Sequence, residues 1–169
     1  MNYTVQDNFL DQENFDRLYS ILLGENFPWF FAQYKVHKEK EDRDIRDFQF
    51  THMVYYNHSV RTHLPDIFEP LLEKIAPAAI VKIKANLTPV TDKIIVYDMH
   101  VDVNNFDFKG KTAVFYLNSN DGYTLFEDGT KIESVANRLL TFDANVRHTG
   151  TSCTNKQFRC VLNINYFPR

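Results

Sequence analysis

Apolar residues recur at helical spacing near the start of the chain and at alternate positions after about residue 80. Between Asn8 and Leu23 they fall at Phe9, Leu10, Phe15, Leu18, Tyr19, Leu22 and Leu23, mostly three or four apart. Asp11 is placed to cap such a helix and Gly24 to stop it, so the spacing predicts a helix over 8–23. A second helix is predicted over 64–76, where Ile67, Phe68, Leu71, Leu72 and Ile75 share one face. Pro65 suits its first turn, and Pro77 stands where a helix must end. From Ile80 the period changes to two. The runs 80–87, 94–102, 112–118, 123–127, 130–135, 138–143, 147–151 and 158–167 each read as a strand, with turn residues at Gly110, Asn120-Asp121-Gly122 and Asp128-Gly129. Short strands in this number, after two helices, predict a mainly β fold with flanking helices. The expected architecture is an antiparallel double-sheet jelly roll with the helices packed on one outer face. With no repeat, low-complexity tract or linker, residues 1–169 read as a single domain: helical support over about 8–76, then a β core over about 80–167.

The stretch from Phe27 to Tyr34 is densely aromatic and gives way to a mixed-sign charged segment, Lys35 to Arg46. Two readings stand for that segment. It is a solvated loop between two strands, the second starting at Phe48-Gln49-Phe50, or a lid over a site. Composition then narrows the function classes. A net charge of -3 and a pI near 6.0 give no electrostatic footprint for duplex nucleic acid or an anionic membrane. The first residues have no basic stretch followed by an apolar one, and no apolar run approaches the roughly 18 residues of a membrane span. Cys153 and Cys160, the two cysteines, form no C-x-x-C and no disulfide framework, so a reduced, cytoplasmic protein is expected.

The candidate chemistry lies in Tyr97-Asp98-Met99-His100-Val101-Asp102, with His148 and Arg159. His100 and Asp102 are two apart in an extended run, so both side chains leave one face. A pair of this kind is weak evidence alone, since six histidines among 22 acidic residues in 169 give about 0.8 of them by chance. Agreement of separate features strengthens it. His148 begins another β-like run, and two imidazoles with one carboxylate on a β scaffold make the 2-His-1-carboxylate triad of non-haem Fe(II) sites, with positions left open. In the last strand, alternation puts Arg159, Val161, Asn163 and Asn165 on one face and Cys160, Leu162, Ile164 and Tyr166 on the other. An unpaired guanidinium buried there costs several kcal/mol, on the order of a lost charge pair, so this face must meet an anion or solvent. His52, His58 and His63 have no carboxylate two residues away and are read as surface or core-edge residues.

Taken in order, His100-Val101-Asp102, Thr112 to Asn118, Gly122 to Phe126, Asn137 to Phe142, His148-Thr149-Gly150 and Phe158-Arg159 resemble the 2-oxoglutarate- and Fe(II)-dependent oxygenase superfamily, prolyl 4-hydroxylase-like branch. The resemblance spans about 80–167. It implies a double-stranded β-helix, cupin-like, with His100, Asp102 and His148 as iron ligands and Arg159 clamping the distal carboxylate of 2-oxoglutarate. It further implies that Tyr116 donates its hydroxyl to that carboxylate. Asn86 is near a position that contacts the other end of the co-substrate, a role open also to Asn163 or Asn165, with a strand-end turn residue as the alternative for Asn86. Tyr97 either lines the mouth or packs at a strand edge.

The implied activity is hydroxylation of an unactivated C–H bond, with O2 consumed and succinate and CO2 released. A prolyl residue of a protein is the substrate the branch suggests; a nucleobase, a free amino acid or another small metabolite stays open. The absence of a secretory leader counts against a collagen-like substrate. Two rivals share part of this evidence. A cupin-like metal-dependent hydrolase or isomerase has the same ligands and no need of Arg159 or Tyr116, and a non-catalytic jelly-roll binding module needs neither metal nor co-substrate.

Overall fold

In the computed structural model, which describes residues 2–36, 44–103 and 109–169, the predicted change of period becomes a change of layer. β1 (Tyr3–Gln6), α1 (Gln12–Leu22), β2 (Phe30–Ala32), β3 (Gln49–Tyr56) and β4 (Ser59–Val60) precede a 3-10 turn (Pro65–Phe68) and α2 (Glu69–Ile75). Then come β5 (Pro77–Pro89), β6 (Lys111–Tyr116), β7 (Tyr123–Phe126), β8 (Lys131–Glu133), β9 (Arg138–Asp143), β10 (His148–Gly150) and β11 (Phe158–Pro168).

The helices are shorter than predicted, for local reasons. Asn8 takes a left-handed conformation (φ 51°), so α1 begins only after Asp11, whose carboxylate accepts the Asn14 N–H at 2.9 Å. The predicted helix over 64–76 is broken. Pro70 has no N–H to give the Asp66 carbonyl, which accepts from Glu69 instead and closes a 3-10 turn before α2 begins. Ala76 ends α2 in the left-handed region (φ 51°) and Pro77 starts β5.

All strand pairs are antiparallel. The large sheet runs β1-β9-β6-β11-β5-β3-β2, with β4 on β3, and the small one runs β10-β7-β8. Seven of the eight predicted runs are strands close to the expected bounds. The exception is 94–102, which forms only two isolated bridges, Val96 to Thr151 and His100 to His148. The Asp98 carbonyl between them turns in toward the His100 ring and is lost to the ladder. The division into helical support and β core also needs correction. β3, the strand expected to start at Phe48-Gln49-Phe50, lies inside the large sheet beside β5, with Gln49 and His52 among its buried positions.

Alternation along β6 and β11 separates two cores. Phe115, Leu117, Cys160, Leu162 and Ile164 face outward and are covered by Phe15, Leu18 and Leu22 of α1, with Phe68 and Leu71. Each such fully buried Leu or Phe contributes ~1.5–3 kcal/mol, so the helical layer is held by burial. The other face, Val114, Tyr116, Leu140, Phe142 and Val161 with Phe126 of the small sheet, closes the space between the sheets at one end. At the other end that space opens as a cleft. The architecture is a double-stranded β-helix with helices on one outer face.

Candidate active site

His100 and His148 are joined through their backbones. The N–H of each donates to the carbonyl of the other, at 2.9 and 3.0 Å, and their rings lie 4.9 Å apart. This bridge holds His100 against the edge of the small sheet. Asp102 follows in a bend rather than on a strand, so the expected pleat does not place it; instead Asn165 of β11 donates to its Oδ2 at 3.1 Å. The outcome is the convergence that the spacing predicted. His100 Nε2 is 3.7 Å from Asp102 Oδ1, His148 Nε2 is 3.8 Å from Asp102 Oδ2, and one ligand atom from each residue lies within 4.8 Å of the others.

The donor set fits a divalent metal ion in chemistry as well as position. Each histidine has its Nδ1 beside a backbone carbonyl: Asp98 O at 3.1 Å for His100 and Val146 O at 3.0 Å for His148. A proton on Nδ1 satisfies both carbonyls and leaves each Nε2 lone pair aimed at Asp102. Burial holds the His148 pKa below its ordinary value, against the Asp102 charge, which raises it, so the ring is neutral. Burial pushes the Asp102 carboxyl up, but the two imidazoles and the Lys82 ammonium near it outweigh that and hold its pKa below the usual carboxylate range. Two imidazoles and one carboxylate, with open positions, suit a first-row metal such as Fe(II).

At the far end of the same cleft is Arg159, 5% exposed. Its Nε donates to Ser134 Oγ at 2.8 Å and its Nη2 to Thr124 Oγ1 at 3.2 Å. Among the described residues no carboxylate pairs with it; the groups around it are Tyr116 and two thiols, and burial lowers its pKa. Two glycines make room for it. A Cβ on Gly122 would come within 2.5 Å of the Ser152 carbonyl and 2.8 Å of Arg159 Cδ, and one on Gly150 within 3.1 Å of Arg159 Nη1.

Tyr116 stands beside Arg159, its ring 5.5 Å from the guanidinium carbon, but its hydroxyl bonds Thr124 Oγ1 at 2.7 Å. It is fully buried, and it is Thr124, not Tyr116, that reaches the cleft surface. Asn86 and Asn163 both line the cleft. Asn86 is paired on both sides within β5, with Thr51 and Val161, and so is no strand-end turn residue. Asn165, a candidate for the co-substrate, is instead spent on Asp102 and on Thr112, at 2.9 Å.

Lys35 was not legible as a site residue. Read as the start of a solvated charged segment, it is drawn inside, where its Nζ donates to Thr88 Oγ1 at 2.6 Å and lies 3.5 Å from the Tyr97 ring centre. Burial holds its pKa well below the usual lysine range, and the nearby Arg159 charge lowers it further. Tyr97 therefore lines the cleft, and burial pushes its hydroxyl pKa up to about 12. Arg46, near the segment's other end, pairs with Asp44 at 2.7 Å and with Asp92 at the surface, as the solvated reading expected. The stretch between them, 37–43, lies outside the described residues, and with it the lid reading. The cleft encloses about 470 Å3, within the roughly 300–1,000 Å3 of small-molecule sites.

No protein-family model matches the sequence, and no curated protein matches it either. Solved structures do match in fold. A prolyl hydroxylase from Trichoplax adhaerens, in complex with a hypoxia inducible factor oxygen degradation domain peptide fragment, aligns over 98% of this chain and 83% of its own, at 17% identity and TM-score 0.63. A Pseudomonas putida prolyl-4-hydroxylase aligns over 99% and 92%, at 16% identity and TM-score 0.58. HygX from Streptomyces hygroscopicus, solved with nickel and 2-oxoglutarate bound, aligns over 98% and 82%, at 8% identity and TM-score 0.63.

Proposed function

We propose that the protein is a 2-oxoglutarate-dependent Fe(II) dioxygenase that hydroxylates an unactivated C–H bond. One observation carries the reading: a buried guanidinium that, among the described residues, no carboxylate pairs lines the same cleft as a His-Asp-His cluster. Burying a guanidinium is costly, and a carboxylate bound beside it offsets that cost. A planar guanidinium matches a carboxylate in a two-pronged geometry that a lysine does not offer. The solved structures that share this fold, one of them with nickel and 2-oxoglutarate bound, support the same choice.

In this reading His100, Asp102 and His148 hold Fe(II), with Asn165 orienting Asp102. Arg159 receives the distal carboxylate of 2-oxoglutarate. Ser134 and Thr124 fix the guanidinium, and Tyr116 acts on it through Thr124. Asn86 and Asn163 line the space between the two ends. When iron, 2-oxoglutarate and O2 are bound, they supply oxidative decarboxylation to succinate and CO2 coupled to oxygen insertion into the substrate. The chain's own task is to orient the co-substrate and to aim the two histidines and the carboxylate at one point. A prolyl residue in a peptide is the first substrate to try, given the two prolyl hydroxylases that share the fold.

The test is succinate release by the purified protein. It should require both iron and 2-oxoglutarate and rise with the right substrate. A metal-dependent hydrolysis or isomerisation that ignores 2-oxoglutarate would replace this reading with the cupin-like one.

A further inference from the structure

Cations outnumber acids along the cleft, and all but one have partners. Lys35 is tied to Thr88 and Tyr97, Lys82 donates to the Asp102 carbonyl oxygen at 3.3 Å, Arg147 pairs with Glu127 at 3.1 Å, and Arg159 is held by Ser134 and Thr124. The Lys84 ammonium, among the described residues, makes no hydrogen bond and no ion pair. It lines the cleft because β5 alternates, turning Lys82, Lys84, Asn86 and Thr88 to the same face. Across the ladder it faces Asn163 on β11 and Met53 on β3. The next inward residue of β11 after Asn163 is Asn165, which holds Asp102; Arg159 is two inward positions away in the other direction. Lys84 therefore stands beside the metal ligands rather than at the far end of the cleft.

We propose that Lys84 receives a carboxylate of the substrate that is oxidised, so that the substrate is an acid with its anionic group close to the C–H bond that reacts. The inference rests on the oxygenase reading. There, the two carboxylates of 2-oxoglutarate are matched by the metal and Arg159, which leaves the Lys84 charge for a third anion. Burial and the neighbouring Lys82 charge oppose this ammonium and outweigh the attraction of Asp102, and an incoming carboxylate relieves both. A carboxylate is favoured over a phosphate. Phosphate sites draw on free backbone N–H groups at helix N-termini or in nests, whereas this cleft is lined by strands and loops, and by neither helix.

The test uses the full chain loaded with Mn(II) and 2-oxoglutarate without O2, the binding of each measured first by calorimetry. Failure to take up either overturns the oxygenase reading and this inference with it. Two arms of probes are then ranked by Mn(II)-induced broadening of their proton NMR lines. One sets N-acetyl amino acids against their primary amides; the other sets end-capped tripeptides containing Asp or Glu against the same peptides with Asn or Gln. Acid-selective broadening in the first arm identifies a small acid, and in the second an acidic peptide. Lys84→Met, which keeps the length of the side chain, should weaken the selected acid roughly tenfold or more, the scale of one lost charge-assisted hydrogen bond. Affinity for Mn(II) and 2-oxoglutarate should not change, and Lys84→Arg should recover most of the loss. Equal broadening by acids and amides with 2-oxoglutarate bound overturns this inference alone. So does a Lys84→Met loss that falls on 2-oxoglutarate.

Discussion

His100 and His148 exchange two backbone hydrogen bonds, at 2.9 and 3.0 Å, so the residues whose rings converge are also locked together by their main chains. Their separation therefore does not depend on a bound ion, and the site is preformed.

Metal binding should stabilise the folded protein in proportion to ligand excess. At a hundredfold excess over Kd the gain is about 2.7 kcal/mol, which for a chain of this size raises Tm by roughly 5–10 °C. Asp102→Ala and His148→Ala should fold, show no such rise with Mn(II) or Fe(II), and release no succinate. Thermal scans with and without metal check this, and an undiminished rise in either variant removes that residue from the site.

Acid should weaken both fold and metal binding, with the sign set by two depressed pKa values. His148 is held below its ordinary value, so the unfolded chain takes up that proton first as pH falls. Its contribution to stability is complete above about 6.5, the usual histidine value, and declines below it. Asp102 is depressed as well, so its share is lost only below about 3.9. Urea midpoints of the metal-free protein should fall from about pH 6.5 downward, and His148→Asn should flatten the first part of that fall.

Removing Arg159 should separate stability from function. Arg159→Met should raise the 2-oxoglutarate requirement by about 10- to 100-fold, the scale of a lost charge-assisted pair. It should cost the metal-free, co-substrate-free protein little or no stability, because a buried charge that no acid among the described residues pairs goes with it. Arg159→Lys should recover only part of the affinity, for want of the second prong. Calorimetric titration with 2-oxoglutarate and a denaturant midpoint read the two effects independently.

Gly122→Ala should injure the co-substrate seat and spare the metal. Its Cβ would meet the Ser152 backbone oxygen at 2.5 Å and Arg159 Cδ at 2.8 Å, and the first gives way only by moving the backbone between β10 and β11. Gly150→Ala should be milder, since it meets only the end of the Arg159 side chain, at 3.1 Å. The expected order of 2-oxoglutarate affinity is native, then Gly150→Ala, then Gly122→Ala, with Mn(II) affinity level across the three.

Asn165→Leu should reduce metal affinity by about 10- to 100-fold, as loss of a hydrogen bond to a ligating carboxylate does elsewhere. The amide bonds Asp102 at 3.1 Å and Thr112 at 2.9 Å, so its loss frees the carboxylate to turn. Affinity for 2-oxoglutarate, measured at saturating Mn(II), should stay the same.

Most of the fold and the three side chains of the His-Asp-His cluster were legible because both rest on short-range regularities. Period-two alternation predicted seven strands and both faces of β11, including the inward Arg159, Asn163 and Asn165. It failed at 94–102, where a histidine ring takes a carbonyl from the ladder; β3 was expected to start at Phe48-Gln49-Phe50, but not to join the β core beside β5. Tyr116 was placed on the correct face, but its hydroxyl bond to Thr124 was not foreseeable, because Thr124 comes from the other sheet.

The chain alone determined which residues point the same way within one strand or helix, since that follows from backbone geometry and needs no partner. Tertiary structure decided which of those faces meet. Lys35 belongs to the cleft because its partner Thr88 lies 53 residues away. Asp102 is aimed by Asn165, 63 residues on. Among the described residues Lys84 makes no hydrogen bond or ion pair, because the strands beside it, β3 and β11, set Met53 and Asn163 opposite it. Burial and charge pairing are properties of what packs from elsewhere, and a local pattern carries no record of that.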